Sequence, residues 1–195
     1  IYKELAGSLS KIPLLIKLMG LCTFDDFNTE RIFTNLRKAM ILQLPDCDVN
    51  SLPFSAALAL NCFTNEYVFI CTDEEKYAVG ELETKIAKVL EDGNPVPALW
   101  VAALGAYRAL HTYPWVDSLL KCEWSEEINI LLNRQVTQPR EEQVLAAKML
   151  SLSNITDGVS IAVREQYESN PYPRWIKLGS PQKGQPIDQV MRDIQ

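Results

Sequence analysis

Side chains able to do chemistry are few in this 195-residue chain, and their spacing suits it poorly. His111 is the only imidazole, so any Ser/His/Asp or Cys/His mechanism has to pass through it. It ends an apolar stretch just before Tyr113-Pro-Trp115, where a histidine at a helix C-terminus is explained by the helix dipole alone. Asp25-Asp26 and Glu126-Glu127 could act as acid/base pairs, but first-turn carboxylates at helix starts account for both. Cys22, Cys47, Cys62, Cys71 and Cys122 are odd in number and form no CxxC pair, which points to reduced and mostly buried thiols in a cytoplasmic protein. With one histidine, a zinc site lacks its usual nitrogen ligands. No GxGxxG or GxxxxGK[ST] is present, and a cofactor-binding loop is not expected in these residues.

The elements that would position such groups read as helices. Asp25 or Asp26 caps a helix to about Leu44, with Ile32, Phe33, Leu36 and Met40 on one face. Ser51 caps the next, with Pro53 in its first turn, and its apolar character carries it to about Ile70. Val68-Phe-Ile-Cys71 is β-prone but continues the helical pattern. Thr72-Asp-Glu-Glu75 is a capping box opening an acidic helix with Leu82, Ile86, Val89 and Leu90 inward, broken at Asp92-Gly-Asn-Pro95. A largely buried helix follows from Val96 to Leu110. Trp100 to Tyr107 approximates a tetratricopeptide signature, but Leu-Gly comes one residue late and no second copy follows. Ser125 starts a helix with Ile128, Leu131, Leu132 and Val136 on one face. Pro139 starts another, with a stripe of Val144, Leu145, Lys148, Met149 and Leu152. A last helix runs from Thr156 or Asp157 to Glu168.

The expectation is an all-α chain: an irregular multi-helix bundle or array over residues 1–169, with an extended Pro-rich connector and the start of a further helix over 170–195. A net charge of −6 and the absence of a Lys/Arg run speak against nucleic-acid binding. The apolar runs Ile12–Met19 and Ala98–Leu110 are too short to span a bilayer. Ile1 at one end and an amphipathic run without a C-cap signal at the other read as cuts from a longer protein.

The most specific segment is Tyr167-Glu-Ser-Asn-Pro-Tyr-Pro-Arg-Trp175. Asn170-Pro171 ends a helix, and Tyr172-Pro173 holds an extended path that presents Arg174 and Trp175 side by side. Tyr167, Asn170, Tyr172, Arg174 and Trp175 are therefore the candidate site, either as a strap docking a neighbouring domain or as a ligand-contacting edge. The segment resembles the Y-E-x-N-P-Y-P-R-W element of bacterial multidomain chains that carry N-terminal tetratricopeptide repeats and a C-terminal class I S-adenosylmethionine-dependent methyltransferase. Ala57–Tyr67 is similar to that family's A-L-x-x-Q-C-F-x-N-E-Y, and Leu132–Glu142 followed by Ile155–Ser160 fits the same interdomain region. The resemblance implies a non-catalytic helical linker or substrate-placing domain. Its partners would be a missing methyltransferase domain, the repeats of the same chain and a protein substrate. S-adenosylmethionine is implied only for the parent. The alternative is a protein-interaction module that binds a partner peptide or helix.

Overall fold

The computed structural model describes residues 2–24, 26–148 and 157–169. Among them are only helices and short turns, as the periodicity predicts: α1 (Tyr2–Leu9), α2 (Pro13–Met19), α3 (Phe27–Leu42), α4 (Leu52–Thr64), α5 (Asp73–Glu91), α6 (Ala98–Gly105), α7 (Val116–Leu119), α8 (Glu126–Leu132), α9 (Gln138–Ala146) and α10 (Gly158–Ser169). Helix α4 is central. All of its residues but Pro53 are buried, and it packs most extensively on α6, with α1, α2 and α8 also against it. A helix apolar on every side has nowhere to go but the middle of the core. Tyr2 ties α1 to it: the ring is fully buried and its hydroxyl lies 2.8 Å from Ser55 Oγ. No described helix is long and apolar enough to cross a membrane.

Local signals set several boundaries. Asp26 caps α3 by accepting from Thr29 N at 2.7 Å. Thr72 and Glu75 form the reciprocal capping box of α5. Ser51 and Ser125 precede α4 and α8 without a side-chain cap; the Ser51 hydroxyl instead donates to Asp48 O. Asp157 opens α10 by accepting from Ser160 N at 2.9 Å.

Four expectations are corrected. Helix α4 stops at Thr64, not Ile70: Glu66 and Tyr67 adopt φ of 50° and 57°, and Tyr67 N bonds back to Cys62 O. Left-handed non-glycine residues cost about 1 kcal/mol or more each. Here the turn is held by the Tyr67 hydroxyl donating to Gly105 O at 3.3 Å and by an edge contact between Phe63 and Tyr67. The helix from Val96 is likewise shorter, ending at Gly105, and Leu110–Thr112 is a separate 3-10 turn. Ile32 is exposed; the inward face of α3 is Phe33, Leu36, Arg37 and Met40. Val144 and Leu145 on α9 face solvent, whereas Ile128, Leu131, Leu132 and Val136 are buried as expected.

A further difference lies between α8 and α9. They form one continuous helix interrupted by a π-turn at Asn133–Thr137, where Gln138 N reaches back five residues to Asn133 O. Pro139 explains it. Proline has no N–H for the carbonyl four residues before it, and its ring clashes with that carbonyl, so the turn widens. The carbonyl is that of Gln135, and it accepts instead from His111 Nδ1 at 2.9 Å. Since a carbonyl only accepts, Nδ1 carries the proton. His111 therefore replaces a missing rung in a helix ladder; it does not sit at an α-helix C-terminus.

Candidate functional site

Two buried polar clusters contain groups with catalytic potential, and both are built into the core. In the first, Arg37 is 2 % exposed and Glu75 1 % exposed. Arg37 Nη2 donates to Ile70 O at 2.8 Å and lies 3.5 Å from Glu75 Oε1. Its guanidinium stacks over the rings of Tyr107 and Phe69. The Tyr107 hydroxyl donates to Glu75 Oε1 at 2.7 Å, while Glu75 Oε2 accepts from Thr72 N and Thr72 Oγ1. Burial alone would raise the Glu75 carboxyl. Hydrogen bonds from Thr72 and Tyr107, with the Arg37 charge, overcome that and hold it below the usual carboxylate range. Burial and donation to Glu75 push the Tyr107 phenol well up. A buried, ionised carboxylate with this many donors fastens α3 and α5 to the turn that follows α6.

The second cluster is the Gln135 side chain. Its Nε2 donates to Gly105 O at 2.9 Å and Ala59 O at 3.2 Å, and its Oε1 accepts from Leu110 N at 3.2 Å. A Cβ on Gly105 would come within 3.2 Å of Gln135 Oε1, so a larger residue there would push the amide by a few tenths of an ångström. These bonds join α4, α6 and the Leu110–Thr112 turn to the π-turn.

The accessible features are apolar. Helices α2 and α8 form the walls of a groove of about 690 Å³, floored by Ala56, Ala57 and Leu60 of α4. Ile16 and Lys17 line the α2 side; Ile130 and Arg134 line the α8 side, with Glu126 and Glu127 at its start. The floor runs from Pro53 to Leu60, about two helical turns. Small residues on the floor let an incoming helix approach closely. The second feature is the exposed apolar face of the C-terminal helices: Val159, Val163 and Tyr167 recur at i, i+4 and i+8 on α10, with 73 %, 46 % and 64 % exposure.

Of the candidate site residues read from the sequence, Tyr167 lies on that exposed α10 face. Asn170, Tyr172, Arg174 and Trp175 lie outside the described residues, as do Asp25, Met149 and Leu152. The thiols are free among the described residues, but only Cys62 is fully buried and Cys22 is exposed. Burial pushes the Cys62 thiol up to about 12. No group of three His, Cys, Asp or Glu side chains suited to a metal occurs among the described residues. The groove was not anticipated from sequence. Ala56 and Ala57 look like ordinary core positions and are buried, and only the packing of three separate helices brings them to the bottom of a groove. Comparison with family models, with curated protein sequences and with solved structures returns no match.

Proposed function

We propose that this chain is a non-catalytic helical linker and substrate-placing domain of a cytoplasmic S-adenosylmethionine-dependent methyltransferase with tetratricopeptide repeats. The observation that carries the reading is the α10 face. Val159, Val163 and Tyr167 present an ordered apolar stripe to solvent, and the helix leads straight into the Asn170-Pro-Tyr-Pro-Arg-Trp175 segment. An ordered stripe of this kind marks a surface that another body covers. Trp and Arg are the residue types that most often anchor such contacts, and the two prolines lower the entropy lost on docking. The covering body in this reading is a downstream methyltransferase domain, which supplies the methyl donor site. The test uses the 195-residue chain beside a polypeptide extended through the downstream sequence. The short chain is expected not to bind S-adenosylmethionine in calorimetric titration, and the long one to bind it. Trp175→Ala should leave the melting temperature of the short chain unchanged and lower methyl transfer in the long one. A large melting shift in the short chain with unchanged transfer would defeat the reading.

A second reading is supported by the groove between α2 and α8: a module that binds a helix or peptide. Its floor of small residues and its two-turn length suit an amphipathic helix laid in with apolar anchors down. Hydrogen exchange of α2 and α8 slowed by a bound helical partner would support this reading over the first.

A further inference from the structure

Helix α2 leaves two adjacent features uncovered. Pro13, Ile16, Lys17 and Gly20 form one wall of the groove. Roughly a third of a turn further round, Leu14 and Leu18 form an exposed ridge with 68 % and 39 % exposure, and Leu21, 46 % exposed, continues it at the rim of the groove. The remaining face, with Met19, is buried against the core. A single helix laid in the groove would cover the wall and leave Leu14 and Leu18 in water. A second copy offers both a ridge and a groove, so a single two-fold contact can cover both features. Under a two-fold rotation the ridge of each molecule enters the groove of the other.

The charges at the groove fit the same operation. Lys17 stands on the α2 wall; Glu126 and Glu127 stand at the start of the α8 wall, with Arg134 about two turns further along it. One partner presenting a single sign would meet repulsion on one of these walls. A second copy arriving by two-fold rotation brings its Lys17 to the opposing Glu126 and Glu127, and receives the reciprocal pairing on the other side.

We propose that the α2–α8 face is a self-association surface, and that the groove is occupied by the Leu14–Leu18–Leu21 ridge of a second copy of this chain. The proposal rests on the second reading above and names the groove's occupant; it is independent of the α10 face.

Sedimentation of the 195-residue chain tests it, across about two decades of concentration around the micromolar range. A reversible dimer is expected. Leu18→Glu should abolish it, with the helical circular-dichroism signal unchanged because Leu18 lies outside the core. Lys17→Glu alone, and Glu126→Lys with Glu127→Lys in a second variant, should each weaken the dimer by about tenfold. Mixing those two variants should restore a heterodimer, since both seams regain opposite charges. That recovery is the signature of a two-fold arrangement and would not follow from a folding defect. A chain that stays monomeric throughout overturns the proposal. So does a dimer indifferent to Leu18→Glu and to the charge reversals, which places association elsewhere. In a monomeric chain, slowed exchange at α2 and α8 on adding a helical partner would leave the groove reading standing while removing the second copy as its occupant.

Discussion

Replacing either member of the Arg37–Glu75 pair should destabilise the chain, but by unequal amounts. Removing one partner of a buried ion pair typically costs about 3–5 kcal/mol, because the survivor keeps a charge away from water. The survivors differ here. With Arg37→Met, Glu75 retains Thr72 N, Thr72 Oγ1 and the Tyr107 hydroxyl as donors. Methionine also keeps much of the packing against Phe69 and Tyr107, so the loss should fall near about 2–3 kcal/mol. With Glu75→Leu, the guanidinium loses its counter-charge and keeps the neutral Ile70 carbonyl as an acceptor, and its Nε already has no partner. The capping box of α5 is lost as well, which adds about 0.5–2 kcal/mol. That places Glu75→Leu near about 4–6 kcal/mol. The double variant should cost less than the sum, because no charge is left stranded. Urea unfolding followed by circular dichroism, run as a double-mutant cycle, measures all three. Additive losses, or a larger loss for Arg37→Met, would refute the account of the pair.

Gln135→Glu should cost about 2–4 kcal/mol at neutral pH, because its second oxygen would face the carbonyls of Gly105 and Ala59; thermal melting at pH 7 checks it. His111→Ala leaves the Gln135 carbonyl without its donor and should cost about 1–2 kcal/mol, a loss that Pro139→Ala should partly repair by restoring a backbone N–H. The Glu75 carboxyl is depressed in the folded chain, so its contribution is complete above the ordinary glutamate value of 4.5. It is lost as pH falls below that value and through the lower folded one, so acid unfolding of Glu75→Gln should be less steep over that range. In timed alkylation followed by mass spectrometry, exposed Cys22 should react first and Cys62, buried and pushed up to about 12, last.

The elements legible in the sequence are those whose signals are local. The capping box at Thr72–Glu75, the Asp26 cap and the inward spacing of Ile128, Leu131, Leu132 and Val136 depend on residues within a turn or two of each other. The misplaced boundaries depend on distant partners. The end of α4 is set by two left-handed residues that Tyr67 secures through Gly105, and nothing in Asn65-Glu-Tyr67 advertises it. Pro139 was legible as a helix-start residue. Its actual effect, a π-turn inside a longer helix, needs His111 to satisfy the carbonyl it orphans. Arg37 offered a missed clue: a cation inside the stripe of Phe33, Leu36 and Met40 calls for a buried acid. Of the candidate site, the sequence marked the approach through Tyr167. The groove between α2 and α8 has no sequence signature, since its three helices are separated along the chain.

The Gln135 amide also bears on how fast the chain comes apart. Its bonds to Ala59 and Gly105 span 76 and 30 residues of sequence. Bonds across such separations reward the chain only after long loops have closed, so they belong to the late side of the folding barrier. Weakening them should leave the refolding rate nearly untouched and speed unfolding. A single buried amide then acts as a latch on the lifetime of the folded state, and substitutions there would surface as sensitivity to proteolysis in which cleavage outpaces reclosing.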